Sequence, residues 1–217
     1  MKLKLILITV LAFGSMAHAQ GIVSNISIGA GFQGVFPAGT FTKNTIEANG
    51  AANTQSTTSS VGAVADARYD FGRHSAVGLA VTINRSSELF FQGNSFNGFN
   101  GGTFTRVLSN NSEIIGTYIF RLPSNDRVKP YAMFGGGLVH YSPVDGGFDT
   151  GSNPSSDTKA AFAYGFGTDL KFSDHWAIRL QYRGLVRTEP DFKLTSEFGT
   201  QLHTHVAEPS VQLVYHF

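Results

Sequence analysis

The stretch from Phe162 to Arg187, FAYGFGTDLKFSDHWAIRLQYRGLVR, decides the fold. Alternate residues up to Phe172 sort into Phe162, Tyr164, Phe166, Thr168, Leu170 and Phe172 on one phase, and Ala163, Gly165, Gly167, Asp169 and Lys171 on the other. After Ser173-Asp174-His175 the sorting resumes. Trp176, Ile178, Leu180, Tyr182, Gly184 and Val186 share one phase; Ala177, Arg179, Gln181, Arg183, Leu185 and Arg187 share the other. A period of two is that of a β-strand, whose side chains point alternately to its two faces. Neither apolar phase carries a charge. Such a face either packs on a core or meets lipid.

Outward from this hairpin, the same patterning predicts six more strands, near 22–35, 60–71, 76–84, 112–121, 129–141 and 204–217. Three features choose lipid over a soluble core. First, short links (Gly72 to Ser75, Leu122 to Val128, Ser173 to His175) alternate with long polar ones, as in a membrane barrel with turns on one side and loops on the other. Second, aromatic residues gather at the turn-proximal ends: Tyr69, Phe71, Tyr118, Phe120, Tyr131, Phe172, Trp176, Tyr215 and Phe217. Rings at one height form the girdle expected at lipid headgroups. Third, the chain ends on Val211-Gln212-Leu213-Val214-Tyr215-His216-Phe217, apolar at every second position. The expected fold is all-β: a closed, antiparallel, eight-stranded transmembrane β-barrel with short periplasmic turns and long extracellular loops.

Composition narrows the function classes. The 217 residues include no cysteine, which excludes disulfide scaffolds, thiolate metal sites and thiol catalysis. A balance of 16 basic to 15 acidic side chains lacks the excess of a nucleic-acid binder. Lys2 and Lys4, the apolar run from Leu5 to Phe13, and Ala17-His18-Ala19 have the layout of a cleaved secretory signal peptide over residues 1–19. The barrel domain would then occupy residues 20–217. A lipocalin is disfavoured, since lipocalins face apolar residues inward and carry an early G-x-W, whereas the single Trp here is Trp176.

The terminal strand resembles the C-terminal signal that the assembly machinery of bacterial outer-membrane barrels reads, with Val211, Leu213, Tyr215 and Phe217 as its apolar positions. Val128-Lys129-Pro130-Tyr131-Ala132 leading into Gly135-Gly136-Gly137 is similar to the fifth-strand motif of the small OmpA-like and OmpX-like barrels, and Leu170 to Arg183 resembles their next hairpin. The resemblance implies an eight-stranded barrel in a Gram-negative outer membrane and no particular activity, because that superfamily includes anchors, adhesins, small pores and lipid enzymes. The peptidoglycan-binding domain of longer relatives is not expected. Pro209, which removes a ladder hydrogen bond, predicts a bulge or a strand start.

Eight strands enclose a space that side chains nearly fill. The inward phase supplies Asp66, Asp70, Glu113, Asp169 and Glu208 against Arg68, Arg121, Lys171, Arg179, Arg183 and Arg187, which predicts an ion-paired plug. The alternative is a solvated vestibule at Arg183 and Arg187. Inward glycines such as Gly165 and Gly167 are expected to make room for the arginines.

Gly29, Gly31 and Gly34 spell G-x-G-x-x-G, but Val35-Phe36-Pro37 follows where a dinucleotide site needs a helix. His140 and Ser142 share a strand face as a nucleophile and base would, and outer-membrane lipid A deacylases resemble this in placement. Pro143 follows Ser142 where their fuller motif has Asn. His203 and His205 also share a face, with no third metal ligand assignable. No catalytic residue, cofactor or metal is therefore expected. Phe90, Phe91, Phe96 and Phe99, in the loop Arg85–Asn111, are candidate contacts for a partner, the alternatives being a loop folded over the mouth or a longer hairpin. Ala38–Ser59 reads as a solvated loop.

The leading expectation is a non-enzymatic barrel that displays four loops outside the cell in a structural or adhesive role. The alternatives are a narrow pore and a lipid-modifying enzyme. Expected partners are outer-membrane lipid, the barrel-assembly machinery and a host or cell-surface ligand, with no nucleic acid and a monomeric chain.

Overall fold

The computed structural model describes residues 25–40, 45–46, 52–96, 99–144, 154–190, 192 and 203–217. The signal-peptide residues 1–19 lie outside them. Among the described residues there are ten strands: β1 (Ile26–Thr40), β2 (Thr45–Ile46), β3 (Ala52–Thr57), β4 (Ser60–Asp70), β5 (Ser75–Phe96), β6 (Phe99–Arg121), β7 (Val128–Pro143), β8 (Asp157–Lys171), β9 (Trp176–Thr188) and β10 (His203–His216). Eight of them, β1 and β4 to β10, pair antiparallel in the circular order β4-β1-β10-β9-β8-β7-β6-β5, and β5 returns to β4. The ring is closed, so the wall has no unpaired edge. Each expected strand is present within a few residues of its expected bounds, except where β5 and β6 run on.

Alternation sorts every wall strand. Phe32, Val61, Leu79, Ile114, Phe134, Leu138, Phe166, Leu180 and Val211 point outward and are exposed. Along β8 this apolar face runs from Phe162 to Phe172, about 33 Å at 3.3 Å per residue, or roughly 25 Å along the barrel axis at a 40° tilt. That is the height of a membrane's apolar band. Charged side chains occupy the inward phase: Asp66, Arg68, Glu113, Asp169, Arg179, Arg183 and Glu208 are all buried.

The tight turns lie at one end. Phe71 N donates to Ser75 O, Phe172 N to Trp176 O, and Asn125 Oδ1 accepts from the amides of Arg127 and Val128. At the other end, β5 and β6 continue as one hairpin through the register from Asn84↔Asn111 to Phe96↔Phe99. This adds about 40 Å of ladder beyond the wall. Ala52–Thr57 within the expected solvated loop is also strand, since β3 continues the line of β4 along β5 after a one-residue offset at Thr58-Ser59.

Two further expectations change. β10 passes through Pro209 without a bulge or a start, paired to Tyr182 in unbroken register. Losing one amide costs one ladder bond, and the rest of the strand holds. The irregularity falls instead in β1, between Pro37 and Thr40. The fifth wall strand, β7, turns Tyr131, Met133, Val139 and Tyr141 inward and Ala132, Phe134, Leu138 and His140 outward. Tyr131 therefore belongs to the lumen and not to the girdle.

Candidate functional site

The lumen is filled in tiers. Nearest the turns, Arg179, 0% exposed along its side chain, bridges two strands. Its Nε and Nη2 donate to Asp169 at 2.7 and 2.9 Å, and its Nη1 donates to both Asp66 oxygens at 2.8 Å. Arg68 Nε donates to Asp66 at 3.0 Å while its Nη2 reaches Tyr131 Oη and Gln181 Oε1 at 3.0 and 2.6 Å. The same guanidinium stacks 4.4 Å over the Tyr131 ring. Arg121 forks Asp70 and stands 3.9 Å from Asp169. These three bases balance these three acids, and Lys129 lies half-buried near Asp70 and Arg121. Lys171 lies half-buried outside these pairs.

In the next tier, Arg183 bridges Glu113 and Glu208, each at 2.5 Å, and reaches Thr82 at 3.3 Å. Asn111 Nδ2 donates to Asn84 Oδ1 and Ser86 Oγ at 3.0 and 2.8 Å. Buried pairs joined by several hydrogen bonds hold their strands in one arrangement.

The mouth is closed by an apolar cluster that includes Val35, Phe90, Val107, Val139, Tyr141, Leu185, Phe192 and Val206. Arg183 and Arg187 are therefore covered and do not line a solvated vestibule. Phe192 packs edge-on against Phe90 and Tyr141, at 6.4 and 6.3 Å between ring centres. Phe90 is thus part of the mouth and not an exposed loop contact. The side chains of Phe91, Phe96 and Phe99 lie outside the described residues, although their backbone belongs to β5 and β6.

Glu88 and Glu189, which lie in stretches expected to be loop, are also buried here. The inward parity of Thr82, Asn84 and Ser86 leads straight to Glu88 and Phe90, a signal hidden by reading that stretch as loop. Arg187 stands 3.9 Å from Glu113 and 5.3 Å from the Tyr141 ring.

The glycines make room for different groups than expected. A Cβ on Gly167 would meet Tyr131 Oη at 2.5 Å, and one on Gly165 would meet the backbone at Tyr182 and Arg183 and the Met133 side chain. Gly29 leaves space for Asp66 and Gln212, as a strand glycine beside a crowded lumen.

On the outer face, Tyr69, Phe71, Phe120, Phe172 and Trp176 are exposed near the turns, and Tyr118 lies half-buried between Phe71 and Phe134, 6.2 and 5.5 Å away. Val211, Leu213 and Phe217 are exposed on β10, with Tyr215 half-buried against Trp176 at 5.1 Å. At the loop end Ser142 Oγ lies 3.2 Å from His140 Nε2, whose Nδ1 lies 2.8 Å from Thr158 Oγ1. A hydroxyl thus occupies the place of an orienting carboxylate. His205 Nε2 lies 2.7 Å from Tyr164 Oη, and His203 Nδ1 lies 3.3 Å from Thr188 Oγ1. Among the described residues no group of three His, Asp or Glu side chains is placed to hold a metal.

A lipid-facing wall around a charged, filled interior meets its family at this point: the family model of the outer membrane protein beta-barrel domain matches residues 5–217. The chain belongs to that family. The turns of this outer-membrane barrel are accordingly periplasmic and its long hairpin extracellular. Among solved structures it is similar to the outer membrane protein OprG from Pseudomonas aeruginosa, with 14% identity and a TM-score of 0.54 over 88% of this chain and 95% of that one. The match to Ail, the attachment invasion locus protein of Yersinia pestis, solved with the heparin analogue sucrose octasulfate, has 16% identity and a TM-score of 0.44 over 87% and 95%. At these identities the likeness to OprG is one of fold. No curated protein matches the chain.

Proposed function

We propose that this barrel is a non-enzymatic surface protein of a Gram-negative outer membrane, with a structural or adhesive role carried by its extracellular elements. The observation that carries the reading is the β5–β6 hairpin, which continues about 40 Å past the apolar wall. A ladder of that length is a stiff support for presenting a surface away from the membrane. In this reading residues 1–19 are a cleaved signal peptide, and Val211, Leu213, Tyr215 and Phe217 are read by the barrel-assembly machinery. The chain works as a monomer surrounded by lipid, and its partner is a host or cell-surface ligand.

Protease treatment of intact cells, with fragments identified by mass spectrometry, tests this. Cuts confined to residues 38–59, 85–111, 141–158 and 188–202 are expected. Protection of intact cells, with cutting only after lysis, overturns surface display. Cells whose hairpin is shortened across residues 86–109 are expected to lose adhesion while keeping the barrel.

A narrow pore is the second reading, favoured by the polar inward phase and opposed by the ion pairs that cross the lumen. Bilayer conductance separates the two. A lipid-modifying role would rest on Ser142 and His140, and Ser142→Ala is expected to leave the lipid A mass profile unchanged.

A further inference from the structure

In the lower lumen each buried arginine has a carboxylate partner, whereas among the described residues of the upper lumen the buried acids outnumber the bases. Facing one another there are Glu88 on β5, Glu113 on β6, Tyr141 on β7, Arg183 and Arg187 on β9, Glu189 just beyond β9, and Glu208 on β10. From β8 come Asp157 and Lys159, which pair with each other at 3.0 Å. β1 adds Gln33 and Val35, and β3 adds Gln55 and Thr57, none of them charged. Leaving the β8 pair aside, four buried carboxyls meet two guanidinia among the described residues. Arg183 is occupied by Glu113 and Glu208. Arg187 stands 3.9 Å from Glu113 and is the other guanidinium whose charge reaches Glu88 and Glu189, and none of its three nitrogens has a hydrogen-bond partner among the described residues.

Thr57 joins the two spare acids. Its Oγ1 lies 2.9 and 2.8 Å from the two oxygens of Glu88 and 3.1 Å from Glu189 Oε2. A hydroxyl carries one hydrogen and can donate it to only one carboxylate. Two buried carboxylates gathered on one hydroxyl repel each other unless one of them holds a proton.

The segment carrying Glu189 is the cover of the mouth. Gln55 Nε2 donates to Pro190 O at 3.0 Å, and Ser155 N donates to Phe192 O at 2.9 Å. Phe192 adopts φ 50°, a left-handed backbone conformation that a bulky residue enters only when its surroundings hold it. Here the holding group is the ring, buried between Phe90 and Tyr141.

We infer that Glu88 and Glu189 form a proton-held latch that keeps Pro190 and Phe192 seated in the barrel mouth, and that the latch releases as the pH rises. Glu88 lies beyond Ile83 and Arg85, above the apolar wall. Burial, with the charge of Glu189 adding to it, holds the Glu88 carboxyl well above the usual carboxylate range. The seated state therefore keeps a proton that the released state gives up. Seating is complete below the ordinary glutamate value of about 4.3, and it is lost as the pH rises through the raised value of Glu88. Over that interval the released fraction grows about tenfold per pH unit. Release uncovers Phe90 and Tyr141 while the ion pairs below stay shut, so it changes the surface shown to the outside and not the permeability.

Hydrogen–deuterium exchange of the refolded barrel in detergent micelles, corrected for intrinsic exchange rates and compared from pH 5 to pH 9, tests the latch. Amides in residues 52–57 and 186–192 are expected to lose protection with rising pH, while those of β8 and of residues 176–184 keep theirs. Glu88→Gln, and separately Glu189→Gln, are expected to hold the mouth protected at every pH, because an amide needs no proton to sit beside a carboxylate. Uniform protection of the wild-type mouth across this range, or the same loss in both Gln variants as in wild type, overturns the inference. The wild-type comparison stands even if a variant fails to fold.

Discussion

Replacing Arg179 by Met tests whether the lower lumen is held by ion pairing or merely filled. The guanidinium makes two hydrogen bonds to Asp169 and two to Asp66, and no part of it reaches solvent. Removing one partner of a buried pair typically costs about 3–5 kcal/mol, because the charge left behind is unpaired and out of water. The lower end applies, since Asp66 keeps Arg68 at 3.0 Å and Asp169 keeps Arg121 at 3.9 Å. A loss of about 3 kcal/mol is roughly a 150-fold change in the unfolding constant. Urea unfolding from lipid vesicles reads it through Trp176, the single tryptophan, which sits exposed on the outer face and leaves lipid on unfolding. Arg179→Met/Asp169→Asn is expected to be more stable than Arg179→Met alone, because it also removes the buried carboxylate that the single variant leaves without its main partner. A single variant within about 0.5 kcal/mol of wild type, the range of an ordinary surface substitution, would refute the reasoning. So would a double variant that loses the sum of the two separate effects.

Three other substitutions probe different parts of the wall. Leu180→Arg puts a charge on the lipid-facing phase of β9 and is expected to cost about 2–4 kcal/mol in the same unfolding assay, near the membrane midplane. Gly167→Ala drives a methyl against Tyr131 Oη, 2.5 Å from where the Cβ would stand, and disturbs the stack of Arg68 on that ring. A loss of about 1–3 kcal/mol is expected from such overpacking, with Gly167→Ala/Tyr131→Phe recovering part of it. Phe217→Ala is expected to lower the amount of folded barrel in cells, read as the heat-modifiable band on gels, while refolding of purified chains in detergent is nearly unchanged. Equal losses in both settings would assign Phe217 to stability instead of assembly.

The wall was legible in the sequence because lipid imposes a local rule. Every second residue must be apolar, so Phe162 to Phe172 and Trp176 to Val186 declare their facing without any knowledge of their neighbours. Turn length and the girdle residues Phe71, Phe120, Phe172 and Trp176 carried similarly local information. The composition of the lower lumen followed from the same parity, since Asp66, Asp169 and Arg179 had nowhere to point but inward. Which acid meets which base did not follow. Asp66 reaches Arg179 across a separation of 113 residues, a pairing set by barrel register and closure. β7 was ambiguous because Tyr131 and Met133 on one phase are as apolar as Ala132 and Phe134 on the other. Only packing beneath Arg68 resolved it. Above the membrane the lipid rule ends, and with it the sequence signal. Water tolerates both faces there, so the continuation of β5 through Glu88 and Phe90, the strand at Ala52–Thr57 and the seating of Phe192 were decided by tertiary contacts. The sequence by itself determined a barrel and the facing of every wall strand but β7; the three-dimensional fold decided the facing of β7, how the charges pair and how the mouth is closed.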